Sequence, residues 1–178
     1  MNARGYLAKQ FRRLGEPSVP KPQPKHPISV HVRAGISRNG STDIAIFTGI
    51  MDSTGYQTIM EEYLLPFLSR AYPNGHRLVM DNDPKHTSKS TDEWMKRNNI
   101  NHWLTSPESP DLNPIERIWA AMKYHIRRRV MPTNKAELIQ EIREFWSTVT
   151  PGMCTRYIDC ILKDAELIVA NDGGPAGH

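Results

Sequence analysis

The sequence predicts an α/β protein: a sheet with helical additions, the helices gathering toward the C-terminal end. Three observations carry this. Val30, Val32, Ala34 and Ile36 alternate with His31, Arg33 and Gly35, which is the period of a strand. The short apolar run Leu78-Val79-Met80 is stopped by the turn formers Asn82, Asp83 and Pro84. Along the chain, strands come first, then strands alternate with helices, then helices stand alone.

Each element has its own justification. Residues 1–27 are poor in apolar side chains and contain Pro17, Pro20, Pro22, Pro24 and Pro27. Prolines fix φ and remove backbone donors, so an extended arm is expected. Its Arg4, Lys9, Arg12 and Arg13 read first as a solvated tail, with contact to DNA phosphates as the alternative. After the strand at Val30–Ile36, Asn39-Gly40 signals a type I′ hairpin turn, which needs positive φ at both central residues. The second strand runs from Ile44 to Ile50. Tyr56, Ile59, Met60, Tyr63, Leu64 and Phe67 then fall at helical spacing, and Pro66 is expected to kink or end that helix.

A strand over Arg77–Met80 follows, then a helix from about Ser88 to Arg97, capped by Thr87 or Ser88. A short strand at His102–Leu104 leads into a proline-rich loop, SPESPDLNP. From Pro114 a helix carries Ile115, Ile118, Trp119, Met122 and Ile126 on one face. Two more amphipathic helices turn Leu138, Ile142, Phe145 and Val149, then Cys154, Tyr157, Ile158, Ile161, Leu162 and Ala165, inward. Trp94, Trp103, Trp119 and Trp146 are all expected in the core. The reading divides the chain into a basic arm (1–27), a main domain (28–130), helices packed on it (131–170) and a flexible tail (171–178).

The 178 residues carry a formal net charge of +4 and a pI near 9.1, a mild basic excess compatible with nucleic acid. Cys154 and Cys160 sit in an amphipathic run and read as reduced core residues, which favours an intracellular compartment. No run of about eighteen apolar residues occurs, so no membrane span is expected. The first residues have positive charge without the apolar core of a signal peptide.

Two acids stand out. Asp81 ends the apolar run, at the C-terminal end of a strand, where α/β sheets carry ligands. Glu116 opens a helix after Asn113-Pro114, and thirty-four residues separate the two acids. On helix grammar alone, Asn113 is an N-cap and Glu116 completes a capping box, worth about 1 kcal/mol. Asp81 is equally readable as a turn residue. Asp83 is expected to stabilise its own turn. His86 either orients Asp81, touches phosphate or is a surface histidine. Lys123 and Arg127 lie seven and eleven positions beyond Glu116, on one helical stripe. With Arg128 and Arg129 they form either a DNA-facing patch or an ordinary solvated helix end.

The strings MDNDPKHTS and SPDLNPIE, at their spacing, resemble the catalytic domain of the Tc branch of mariner-type transposases. PKHPISVHVRAGISRNG and GIMDSTGY extend the resemblance, which covers roughly Pro24 to Arg129. It implies a ribonuclease H-like mixed sheet flanked by helices. It also implies DNA cleavage and joining by two Asp and one Glu that hold two divalent cations, Mg²⁺ or Mn²⁺. Asp81 matches the second Asp and Glu116 the Glu. Asp83, His86 and Asn113 would support them. Lys85 matches a motif position where it could meet phosphate, with an ordinary solvated lysine as the simpler reading. Transposon-end DNA, a possible homodimer and a nuclear location are implied as partners and place. Such clusters signal metal because carboxylates about 4 Å apart repel by about 4 kcal/mol at an effective dielectric of about 20.

The resemblance departs from its pattern at the first Asp, which the family carries on an apolar first strand upstream of the hairpin. Glu16, Asp43, Asp52, Glu61 and Glu62 are the acids before Asp81, and none fits that place. Arg33 stands where relatives usually carry Trp. The expectation is a truncated catalytic domain, its first strand missing, inactive as it stands. The alternative is a non-catalytic nucleic-acid-binding or dimerisation module.

Overall fold

A computed structural model describes residues 28–104 and 113–170. The predicted arm, the loop between His102–Leu104 and Asn113, and the tail therefore lie outside the described residues. The described residues include the strands β1 (His31–Arg33), β2 (Ile36–Ser37), β3 (Gly40–Ser41), β4 (Ala45–Phe47), β5 (Leu78–Met80) and β6 (His102–Leu104). Among the described residues they form three two-stranded ladders: β1 with β4 and β2 with β3, both antiparallel, and β5 with β6, parallel. The mixed sheet is therefore split, because nothing described bonds β1 to β5.

The predicted hairpin exists, with two corrections. Ala34 and Gly35 separate β1 from β2, whereas Thr42, Asp43 and Ile44 separate β3 from β4, so one extra residue makes a bulge. Thr42, buried there, uses its hydroxyl to accept from Gly35 N–H (2.9 Å) and to donate to the Asp43 carbonyl (2.9 Å). Trp146 Nε1 donates to the Thr42 carbonyl at 2.8 Å, pinning the bulge to the helical side. The turn is also one residue earlier than expected. Ser37 pairs with Gly40, so Arg38 and Asn39 are the loop, and only Gly40 has positive φ (+115°). Ser37 Oγ accepts from Asn39 N–H and donates to the Gly40 carbonyl, closing the turn without a left-handed Asn. The second strand is shorter than read, and Ile50 is fully exposed.

The α-helices among the described residues are α1 (Ser53–Ile59), α2 (Leu65–Ala71), α3 (Pro84–Thr87), α4 (Lys89–Arg97), α5 (Pro114–His125), α6 (Lys135–Ser147) and α7 (Pro151–Ala170). Asp52 caps α1, accepting from Gly55 N–H at 2.8 Å. Pro66 does not end the helix. A π-helical turn, Met60–Leu64, precedes it, with Leu65 N–H donating to the Met60 carbonyl, and this wider turn takes up the misfit of a proline that has no N–H. Ser88 caps α4 as read. At its far end Asn99 adopts positive φ (52°), a usual way to stop a helix, and Ile100 N–H reaches back to Met95. A second π-helical turn, Ile126–Val130, continues α5.

Two apolar bodies result. In one, Tyr56, Met60, Leu64, Met80, Trp94, Met95 and Ile100 join α1, its π turn, β5 and α4. In the other, Ile118 and Met122 of α5 and Ile126 of its π turn pack with Ile142 and Trp146 of α6, Val149 of the connection and Cys154 of α7, with the hairpin's Ile44 and Ile46 alongside. Cys154 and Cys160 are free thiols. Trp103 corrects the reading of four core tryptophans. It is 64% exposed, as is its register partner Val79 at 58%, because both stand on the uncovered face of β5–β6. None of the described helices is long and apolar enough to cross a membrane.

The start of α6 yields a pH prediction. Asn134 Oδ1 accepts from Glu137 N–H (2.9 Å), and Glu137 reaches back to Thr133 N–H (2.8 Å) and Thr133 Oγ1 (2.9 Å). Those bonds, Thr133's backbone bond first, hold the Glu137 carboxyl below its ordinary value. A depressed carboxyl stabilises the fold above its unfolded pKa and ceases to as pH falls through the folded value. The melting-temperature gap between wild type and Glu137→Gln is expected to be present at neutral pH and to close below about pH 4. A gap that stays constant down to strongly acidic pH would contradict the capping role.

Candidate active site

Asp81 follows β5 directly, and the chain then turns into α3. Asp83 caps α3, accepting from Lys85 N–H at 3.1 Å, and its other oxygen pairs with Lys85 Nζ. Burial pushes the Asp83 carboxyl up, but the bonds and charge of Lys85 outweigh it and hold it below its usual range. Asp83 thus serves the turn, as read. The turn leaves Asp81 62% exposed in its side chain.

α3 swings His86 back beneath Asp81. The imidazole is only 4% exposed, and its Nδ1 lies 2.5 Å from Asp81 Oδ1 and 3.3 Å from the Asp81 carbonyl. Its Nε2 meets the Arg33 guanidinium from β1. A guanidinium only donates, so Nε2 is the acceptor and the ring proton sits on Nδ1, facing Asp81. Burial first, then the charge of Arg33, hold the imidazole below its ordinary pKa against the upward pull of Asp81. The result is a directed chain, Arg33 to His86 to Asp81, in which a neutral histidine orients the carboxylate.

Tyr56 supports this chain from below. Its ring lies 4.4 Å from the His86 ring and 4.4 Å under the Arg33 guanidinium carbon. Burial pushes its phenol up to about 12, with Arg33 opposing, so the hydroxyl stays protonated and donates toward Met80 Sδ at 3.9 Å.

Glu116 stands in the first turn of α5, exposed, with Asn113 as N-cap accepting from Ile115 N–H at 3.4 Å. The cap reading of Asn113 holds. Asp81, Lys85, His86, Asn113 and Glu116 all line one cleft of about 950 Å³, together with Arg33. Asp83 does not line it. Lys123, Arg127 and Arg128 lie on the exposed side of α5 and its π turn, outside the cleft, and Arg128 stacks over Tyr124 at 5.9 Å. The Arg129 side chain lies outside the described set.

Carboxylate oxygens are the donors that Mg²⁺ and Mn²⁺ prefer. Among the described residues, no group of three His, Cys, Asp or Glu side chains gathers to hold a metal ion. The donor chemistry of Asp81 and Glu116 suits one hard cation with water completing its shell, and is too sparse for a pair. Arg33 and Tyr56 were missed as site residues from sequence. The available signal was Arg33 on the polar face of an alternating strand, where relatives usually carry Trp.

Solved structures place this architecture in a class. The Mos1 transposase catalytic domain, in a structure with raltegravir and Mg, aligns over 82% of this chain and 76% of its own length with TM-score 0.71 and 19% identity. The Mos1 paired-end complex with left transposon end aligns over 95% of this chain and 51% of its own, with TM-score 0.76 and 19% identity. The fold is thus the mixed α/β, ribonuclease H-like fold of a transposase catalytic domain. Residues 1–139 match the family model described as DDE superfamily endonuclease, and the chain belongs to that family. Among its relatives, the Tcb2 transposase of Caenorhabditis briggsae is 29% identical over 72% of this chain, and the Tc1 transposase of Caenorhabditis elegans 28% over 70%. The matches span 47% and 45% of those relatives, so the chain covers about half their length.

Proposed function

We propose that this chain forms part of the metal-dependent core of a DNA-transposing enzyme, which cuts and joins DNA strands by phosphoryl transfer. The observation that carries the reading is that Asp81, on a strand end, and Glu116, on a helix start, line one cleft in a chain of this family. A divalent cation bound there would supply charge stabilisation to the phosphoryl oxygens. The chain's own residues would hold it and shape the surroundings. Asp81 and Glu116 are the ligands, His86 keeps the Asp81 carboxylate in one orientation, and Lys85 faces the phosphate backbone. The Mg and Mn in Mos1 structures support the choice of ion. The transposon end in a Mos1 complex supports DNA ends as partner. The reading also takes the chain to work as a homodimer in the nucleus.

A second reading is favoured by a specific observation. His86 already supplies Asp81 with a partner, and Arg33 behind it adds a positive charge to the same cleft. A chain kept only to bind DNA or to dimerise would tolerate that. Metal titration separates the two readings: the first requires Asp81-dependent and Glu116-dependent binding of Mn²⁺, the second none.

DNA contact has its own expected result. Lys123, Arg127 and Arg128 are exposed on one side, beside Tyr124. Each phosphate contact contributes about 0.9 to the slope of log affinity against log salt. Replacing all three by Gln is expected to weaken binding to any duplex and to lower that slope by about 3. Filter binding across a salt series checks this, and an unchanged slope would place the DNA surface elsewhere.

A further inference from the structure

The basic end of α5 holds a ring that phosphate binding does not use. Tyr124 lies in the last turn of α5, and Arg127 and Arg128 follow in the π turn. Tyr124 is 64% exposed and belongs to neither apolar body. A bare tyrosine on a solvated helix is ordinary by itself. Its neighbours set this one apart. Lys123, Arg127 and Arg128 are exposed around it, and none has a carboxylate in ion-pair range among the described residues. Arg128 places its guanidinium carbon 5.9 Å from the ring centroid. That is the outer limit of a cation–π contact, about 6 Å, so the guanidinium borders the ring without covering it.

Two kinds of DNA could meet this surface. A closed duplex stacks its bases inside and offers only phosphates and groove edges. The three cations suffice for that, and the ring finds no flat partner. An unpaired nucleotide offers a phosphate and a base face together. Aromatic rings set among cations bind such strands because every base has a π face. The position agrees. Tyr124 lies eight residues beyond Glu116 on one helix. That is about 12 Å along the axis, or about three to four nucleotides of one strand. A strand with a phosphate at the Glu116 end of α5 therefore brings a nearby base to Tyr124.

We propose that Tyr124 is a stacking platform for an unpaired base, with Lys123, Arg127 and Arg128 holding the phosphates on either side of it. The surface therefore selects DNA carrying single-stranded nucleotides over closed duplex. This rests on the DNA reading above and names the part of the DNA that this face of α5 takes.

The probes are a blunt DNA duplex and the same duplex with a single-stranded extension of about four nucleotides, long enough to span from Glu116 to Tyr124. Affinities of the full chain for the two are compared at one salt concentration. The wild type is expected to bind the extended DNA at least about fivefold more tightly, the lower end for one base stacked on an aromatic ring. A fluorescent adenine analogue in the extension is expected to be quenched on binding. Tyr124→Phe keeps the ring and is expected to keep both effects. Tyr124→Ala is expected to remove the preference and the quenching together. Equal affinity of the wild type for both DNAs, or a preference that survives in Tyr124→Ala, would overturn this inference and leave the DNA reading standing. No binding of the wild type to either DNA would overturn both.

Discussion

Incubated with Mg²⁺ or Mn²⁺ and a DNA carrying candidate terminal repeats, the chain by itself is expected to yield no nicked or joined product above a protein-free control. In-line phosphoryl transfer in this class relies on charge held at both the attacking and the leaving oxygen. Asp81 and Glu116 are two carboxylates in the cleft, and no third acidic ligand gathers with them among the described residues. Losing even one preorganised charge-stabilising group costs about 10²- to 10³-fold in rate. Among the described residues no ladder locks the walls that carry Arg33 and Asp81 to each other, which adds a second cost. Product that disappears in both Asp81→Ala and Glu116→Ala would contradict the expectation and show that another residue or another chain completes the site.

Ile118→Ala is expected to lower the stability of the fold by about 2–5 kcal/mol, measured as a shift of the urea midpoint at constant slope. Ile118 is 1% exposed and sits where α5 meets Trp146, Val149 and Cys154. Removing three carbons there leaves a cavity walled by two large rings, Trp119 and Trp146, stacked at 5.1 Å, which collapse poorly into the space. Against a typical total of about 5–15 kcal/mol, that loss is a large fraction. The effect also reaches the site, since Glu116 stands only two residues before Ile118 on the same helix. A change below about 1 kcal/mol would mean that α5 is not anchored as described.

Much of this was legible in the sequence because it rests on local rules. Period-two alternation found β1, the hairpin signal placed the return strand after it, and helical spacing found α5, α6 and the buried faces of both. Caps at Ser88 and Asn113 follow from side chains bonding nearby backbone. What escaped depends on groups distant in the chain. The bulge at Thr42 is fixed by Trp146, a partner on α6 that no local pattern announces. The turn moved because Ser37 offered a closure that the Asn39-Gly40 rule ignores. Trp103 was read as core on hydrophobicity, yet nothing among the described residues covers its face of β5–β6. At the site, Asp81, Glu116, Lys85 and His86 were candidates from sequence, His86 with three readings open, and the fold brings all four to one cleft. The Arg33 and Tyr56 contacts were not, since they join β1 and α1 to a turn some fifty and thirty residues away.

The central claim is that Asp81 and Glu116 share one divalent cation. Paramagnetic broadening by substoichiometric Mn²⁺ in the NMR spectrum of the full chain tests it most directly. The expected result is broadening centred on Asp81–Asn82 and Ile115–Glu116, lost in both Asp81→Asn and Glu116→Gln. Broadening centred elsewhere, or unchanged by either substitution, would contradict it.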